Sequence, residues 1–228
     1  MPKAKKNETV MLITKLPVPD YILGLDMSLN HTGYCLYNVA TGEKKQGLIE
    51  PGDKIKGMER LKFIRDHVVE MAIFRKTPAD IIARNNRPVG ENSLWKGNAN
   101  CLIMIEHYAF GARGAAMISL GELGGVIRLA LYESKIPYIE VPPTLAKKFV
   151  TGKGNSNKNV VLLEMYKRFG EDLSDDNVAD ATGMMYLGRA AVGLEEKPLL
   201  AFQKDALTEL LKMHAKAHPS PFELENAA

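Results

Sequence analysis

The sequence predicts a mixed α/β fold: one five-stranded sheet, opened by an antiparallel meander and flanked by helices. Three observations carry that expectation. Short apolar runs of strand length recur at 21–26, 34–39, 101–106 and 138–141. The first two runs and the segment 45–50 follow one another across short turns, as a meander does. Elsewhere the apolar spacing lengthens to the 3.6-residue helical period. With 228 residues, 46% hydrophobic and 25% charged, the chain has the material for a core, which excludes wholesale disorder and collagen-like or disulfide scaffolds.

Residues 1–19 are polar and basic, with Pro17 and Pro19, and read as a flexible arm. Tyr21–Asp26 is a continuous apolar run, as in a buried central strand, ended by a carboxylate. Ser28–Gly33 supplies turn residues, Tyr34–Val39 a second strand, Thr41-Gly42 a turn and Lys45–Glu50 a third strand. Met58–Phe74 has apolar residues at 58, 61, 64, 68, 71 and 72, the face of an amphipathic helix. Residues 75–100 form a polar excursion with a short helix at 79–84. Cys101–Glu106 is another buried strand that ends in a carboxylate, and Gly111–Gly114 a loop. Ala115–Ser134 reads as a helix although Gly121, Gly124 and Gly125 each weaken it by about 1 kcal/mol relative to alanine, so close packing must compensate. Tyr138–Val141 is a strand stopped by Pro142-Pro143. Helices follow at Thr144–Val150, Lys158–Phe169 and Asp175–Val192, the last N-capped by Ser174, and again over 199–217. The expected organisation is an arm (1–19), one domain (20–198) and a C-terminal helix and tail (199–228).

No apolar run approaches the ~20 residues of a membrane span, and the first residues lack a secretory apolar core. Cys35 and Cys101 sit inside apolar runs and read as buried, reduced thiols, so a cytoplasmic location is expected. The net charge of +3 by itself points to no partner, but its distribution is uneven. From Pro142 to Gly170 stand Lys147, Lys148, Lys153, Lys158, Lys167 and Arg168 against Glu164 alone. From Glu171 to Asp180 stand Glu171, Asp172, Asp175, Asp176 and Asp180 with no base. That pattern suits an anionic substrate held by lysines beside a cation held by carboxylates; ordinary surface charge is the alternative.

Asp26 and Glu106 each end a buried strand, and Asp180 lies in the small, apolar stretch Val178-Ala-Asp-Ala-Thr-Gly183. A buried carboxylate loses its hydration, and several together repel. A divalent cation such as Mg²⁺, which prefers oxygen ligands, would cancel that penalty. The alternative is that each acid pairs separately with Arg or Lys, or caps a helix. Asp176 and Asn177 share a helix face with Asp180, so either is a candidate fourth ligand. Asp176 equally suits a helix N-terminus.

These residues resemble a known family. Gly24-Leu-Asp26-Met-Ser-Leu-Asn-His-Thr-Gly33 is similar to the opening motif of RuvC-type Holliday junction resolvases. Ile105-Glu106, followed by an aromatic-bearing loop, resembles their second motif, and Asp180-Ala181 their fourth. Lys147-Lys148-Phe-Val-Thr-Gly-Lys153-Gly-Asn-Ser-Asn-Lys158 resembles the segment with two functional lysines, which places those at Lys147 and Lys158. Tyr108-Ala-Phe-Gly-Ala-Arg113-Gly114 is similar to the bacteriophage-encoded branch. The resemblance covers roughly 21–192. It departs at the last motif, where the family has Asp-x-x-Asp and this chain has Asn177 three residues before Asp180.

The resemblance implies an RNase H-like fold, a homodimer, Mg²⁺ dependence with Mn²⁺ as a substitute, and paired nicks in four-way DNA that leave a 5′ phosphate and a 3′ hydroxyl. It implies a metal site of Asp26, Glu106 and Asp180, with Asp26 bridging two ions about 3.5–4 Å apart; Asp176 is the expected fourth ligand, or Asn177 if the last motif is matched strictly. Lys158 would meet the scissile phosphate. Lys147, Lys148, Lys153 and Arg113 would neutralise backbone phosphates. Tyr108 and Phe110 would stack on an unpaired base or pack into the core. The competing readings are a general nuclease on flaps or hybrids, a junction-binding module with a degenerate site, and an actin-like kinase. The last would need a phosphate-binding Gly-Thr turn and a second domain.

Overall fold

The computed structural model describes residues 18–73, 101–107 and 115–217. The expected helix at 79–84, the rest of the 75–100 excursion, the 111–114 loop, most of the arm and the tail lie outside the described residues. The elements are β1 (Tyr21–Asp26), β2 (Thr32–Asn38), β3 (Lys44–Ile49), α1 (Gly57–Ala72), β4 (Cys101–Glu106), α2 (Ala115–Glu133), β5 (Tyr138–Val141), α3 (Pro143–Thr151), α4 (Lys158–Phe169), α5 (Asp176–Ala191) and α6 (Ala201–Ala217). The five strands form one sheet in the order β3-β2-β1-β4-β5. β1 pairs antiparallel with β2, and β2 with β3; β1 pairs parallel with β4, and β4 with β5. This is the mixed sheet with a leading meander that the apolar runs predict.

Strand alternation sends successive residues to opposite faces. Leu23, Leu25, Leu36, Ile103 and Ile105 pack with Ile64 and Val68 of α1 and Leu123, Ile127 and Leu131 of α2. Ile22, Cys35, Leu102, Met104, Ile139 and Val141 pack on the other side with α3, α5 and α6. Ala206, Leu207, Leu210 and Leu211 of α6 belong to this second core. Helix α5 lies at its centre, with 12 of its 16 residues buried.

The sheet accepts α5 at close range because β1 and β2 each present a glycine beneath it. A Cβ on Gly24 would overlap the carbonyl oxygen of Ala181 and stand 2.7 Å from the backbone nitrogen of Met185. A Cβ on Gly33 would overlap the carbonyl of Asn177. This is also why β2 starts at Thr32 rather than Tyr34: Gly33 is a strand residue opposite Asp26, small for packing rather than for a turn.

Other differences are local. Asp175, not Ser174, caps α5; its Oδ1 accepts from the backbone N–H of Asn177 at 2.9 Å and of Val178 at 3.0 Å. Both residue types cap well, and the helix begins one residue later than the periodicity predicts. Pro143 opens α3 at a position where its missing N–H is harmless. Cys35 and Cys101 are free and buried, and burial pushes both thiols up to about 12. Glu171 leaves the acidic group entirely. It is buried at the far end of the sheet, where it pairs with Lys44 and accepts from Tyr186 Oη at 2.5 Å.

Gly24→Ala should lower stability by about 3 kcal/mol or more, because the obstacle is helix backbone that cannot swing aside. In a chain of this size that is a fall of roughly 6–12 °C in melting temperature by circular dichroism. Gly125→Ala, where a Cβ meets nothing within 4 Å among the described residues, should leave melting unchanged or raise it slightly.

Candidate active site

β1 and β4 are parallel neighbours in a register that pairs Leu25 with Ile105, so Asp26 and Glu106 emerge side by side at the same sheet edge. By strand alternation both point to the α5 face. The glycine crossing places Ala181 over β1, and with it Asp180 beside Asp26. Three of the predicted acids are therefore brought together by sheet register and helix packing.

Their electrostatics show how close they are. Asp26 is held well above the usual carboxylate range, first by burial, then by the charge of Glu106, with which it hydrogen-bonds, and by Asp180. Glu106 is also raised, by burial first and by Asp180 among the charges. Asp180 is raised by burial, with Asp176 adding to the effect. Two adjacent carboxyls joined by a hydrogen bond share one proton, so Asp26 and Glu106 titrate as a pair. Lys147, on α3, opposes the charge of Asp26, Glu106, Asp180 and Asp176 alike.

Asp176 stands at the rim. Its carboxylate is ion-paired with the ammonium of Lys158, the first residue of α4, and is held below the usual range by that bond. The Lys158 side chain is 73% exposed. The loop before it is knotted around Thr151. That hydroxyl lies 2.8 Å from Ser156 Oγ and accepts from the Lys153 N–H at 3.1 Å, while Asn157 caps α4 through the Val160 N–H at 3.0 Å. Lys153 is exposed on this loop. Lys148 turns to α6, where it pairs with Glu209 at 3.1 Å. Asn177 places its carbonyl against Gly33. Arg113, Tyr108 and Phe110 lie outside the described residues. His107 sits at the sheet edge, its N–H donating to the Val141 carbonyl at 2.9 Å and its Nε2 3.6 Å from Glu140.

The sequence reading missed Arg128. From α2 it pairs with Glu140 of β5 and donates from Nη2 to the backbone carbonyl of Glu106 at 3.0 Å. The available signal was its position as the one basic residue of a largely apolar helix.

As the side chains stand, no three His, Cys, Asp or Glu among the described residues enclose an ion. Asp26 and Glu106 bond each other, and Asp176 bonds Lys158. The donor set nonetheless fits a hard divalent cation: four carboxylates, three of them half-buried and raised, share the field of Lys147.

The chain matches no protein-family profile. It is 31% identical over 144 residues to the crossover junction endodeoxyribonuclease RuvC of Prochlorococcus marinus, a match covering 62% of this chain and 78% of that protein. The chain belongs to the RuvC family. The RuvC of Brachyspira hyodysenteriae is 27% identical over 165 residues, covering 71% of this chain and 89% of that one. The RuvC of Carboxydothermus hydrogenoformans is 33% identical over 94 residues, which is 40% of this chain and 60% of that protein. Among solved structures, T. thermophilus RuvC in complex with Holliday junction substrate aligns with a TM-score of 0.52 at 18% identity, covering 76% of this chain and 96% of that one. The RuvC membership and this alignment agree with the RNase H-like fold that the motifs imply. Among the described residues no helix is long and apolar enough to cross a membrane.

The raised carboxyls set a pH dependence. The folded chain holds protons that the unfolded chain, with carboxyl pKa values near ~4, has released. Without metal, stability therefore falls as pH climbs from about 4 through the raised folded values, and stays low above them. Asp26→Asn should raise the melting temperature at pH 7.5 in chelator, by roughly 2–4 °C for each kcal/mol relieved, and flatten the fall. Added Mg²⁺ should stabilise the wild type and have little effect on the variant.

Proposed function

We propose that the chain is a crossover junction endodeoxyribonuclease that nicks four-way DNA by metal-dependent phosphodiester hydrolysis, leaving a 5′ phosphate and a 3′ hydroxyl. The observation that carries this reading is the meeting of Asp26, Glu106 and Asp180 at the ends of adjacent strands and the helix over them, in a chain of the RuvC family.

Asp26, Glu106 and Asp180 would hold Mg²⁺, with Mn²⁺ as a substitute, and Asp176 would complete the set. A divalent cation bound there supplies an acidified water and a counter-charge for the phosphoryl oxygens. The chain's own groups do the rest. Partial burial of the carboxylates strengthens their hold on positive charge. Lys147 limits their mutual repulsion before substrate arrives. Lys158 lies at the N-terminus of α4, where helix dipole and ammonium both favour a phosphate. Lys153, on the Thr151 loop, would hold backbone phosphate without reading sequence.

Two nicks on opposed strands of a junction require two sites, and α2 has a face for a second copy. Ile118 (62% exposed), Leu129 (58%) and Tyr132 (77%) lie in one stripe with Gly125, which leaves room for a partner helix to approach. Gly125→Lys should shift the sedimenting species from dimer to monomer at micromolar concentration and abolish coordinated nicking of the second strand, without altering the fold.

The deciding experiment is cleavage of labelled four-way, three-way, flap and linear DNA with Mg²⁺. Wild type should nick four-way DNA symmetrically, and Asp26→Asn should bind it without cutting. Equal cutting of flaps and hybrids would instead favour the general nuclease, and binding without cleavage by the wild type the degenerate module. Lys153→Ala should reduce the slope of log affinity against log salt by about 0.9, one phosphate contact, with no change in cleavage position.

A further inference from the structure

We propose that Arg128 is a positioning residue for the metal site: its guanidinium fork locks the carbonyl of Glu106 to the carboxylate of Glu140, and so fixes the strand end from which the Glu106 side chain reaches the ion. This rests on the reading of Glu106 as a ligand, and it adds a residue that acts from outside the ligand set.

The argument starts from where β4 ends. The ladder between β4 and β5 closes at the pair Glu106–Val141, and just beyond it the His107 N–H bonds to the Val141 carbonyl. The carbonyl of Glu106 is thus at the last place where sheet pairing can hold it. Arg128 takes it instead, with Nη2 donating at 3.0 Å. The Nε of the same guanidinium pairs with Glu140 on the neighbouring strand. The side chain is 11% exposed, so the fork is shielded from water. A planar, always-charged group with two donors on one edge suits this bridge, and a lysine ammonium does not. Glu140 is also 3.6 Å from His107, so Arg128, Glu140, Glu106 and His107 form one brace across the ends of two strands.

Arg128 also comes from α2, the helix with the exposed apolar stripe. The brace therefore joins the surface expected to receive a second copy to the strand carrying a ligand. Metal ligands are oriented by their outer partners, and loss of such a partner weakens binding about 10–100-fold.

The test uses the full chain, with Mn²⁺ binding followed by paramagnetic resonance, four-way DNA binding in chelator, and nicking across a metal titration. Arg128→Ala should weaken Mn²⁺ at least about 10-fold, with nicking recovered at high metal. Affinity for the junction in chelator should stay within about twofold, a split that general destabilisation would not produce. Arg128→Lys, which keeps the charge, should melt close to wild type yet retain the metal defect, and it decides the matter if the alanine variant does not fold. Glu140→Gln should give a smaller defect that does not add to that of Arg128→Ala.

Wild-type metal affinity in folded Arg128→Ala, or full recovery of metal affinity in Arg128→Lys, overturns the inference. Failure of the underlying reading looks different: the wild type itself then shows no Mn²⁺ binding that Asp26→Asn removes, and the inference falls with it.

Discussion

The molecule depends on how closely α5 crosses the sheet. Gly24 and Gly33 remove two Cβ atoms from beneath the helix, and the carbonyls of Ala181 and Asn177 occupy that space. Without this approach the helix would ride higher, and Asp180 would stand apart from the pair Asp26 and Glu106. The same contact explains the composition of α5: a helix buried on nearly all sides, between a sheet and three other helices, has room for Ala179, Ala181, Gly183, Gly188 and Ala190 but not for larger side chains throughout. Core packing and site assembly are here one constraint.

That constraint has an electrostatic price. Converging three half-buried acids pushes each above its ordinary range; Lys147 relieves all three, with Arg128 helping at Glu106 and Lys158 at Asp180. The surrounding structure must over-determine the arrangement for it to persist. It does so through the central strands β1 and β4, whose apolar residues are almost fully buried, and through a well-capped α5. Sites that sacrifice stability for chemistry are set on such rigid elements, because the repulsion would otherwise spread them apart.

Most of this was legible in the sequence, for identifiable reasons. Buried strands announce themselves as unbroken apolar runs, so Tyr21–Asp26, Cys101–Glu106 and Tyr138–Val141 are bounded as expected. A carboxylate at the end of such a run is anomalous, and that anomaly singled out Asp26 and Glu106. What stayed hidden depends on partners distant in sequence. Gly33 reads as a turn residue until α5 is seen above it. Glu171 reads as one of an acidic group until Lys44 and Tyr186 claim it. Lys148 reads like its neighbour Lys147, yet one residue along a helix is a rotation of about 100°, and it faces Glu209 rather than the acids. The bonds of Arg128 are revealed by no local pattern, because Glu106 and Glu140 lie on strands distant from it in sequence.

The charged residues around the site divide by exposure, and the division matches what each must do. Lys158 and Asp176 pair in the open, where solvent screens the attraction and the bond contributes little to stability. Such a pair can open with little lost from the fold, as the proposed roles of Asp176 toward a cation and Lys158 toward a phosphate would require. Arg128 is only 11% exposed while its partner Glu140 is half-buried, and separating them would leave a poorly solvated charge on the guanidinium. That pair cannot be spent on a ligand and serves as framework. Lys147 is intermediate, half-buried on α3 and within the field of all four acids. It is close enough to moderate their repulsion, the task that a bound cation would share in the proposed function.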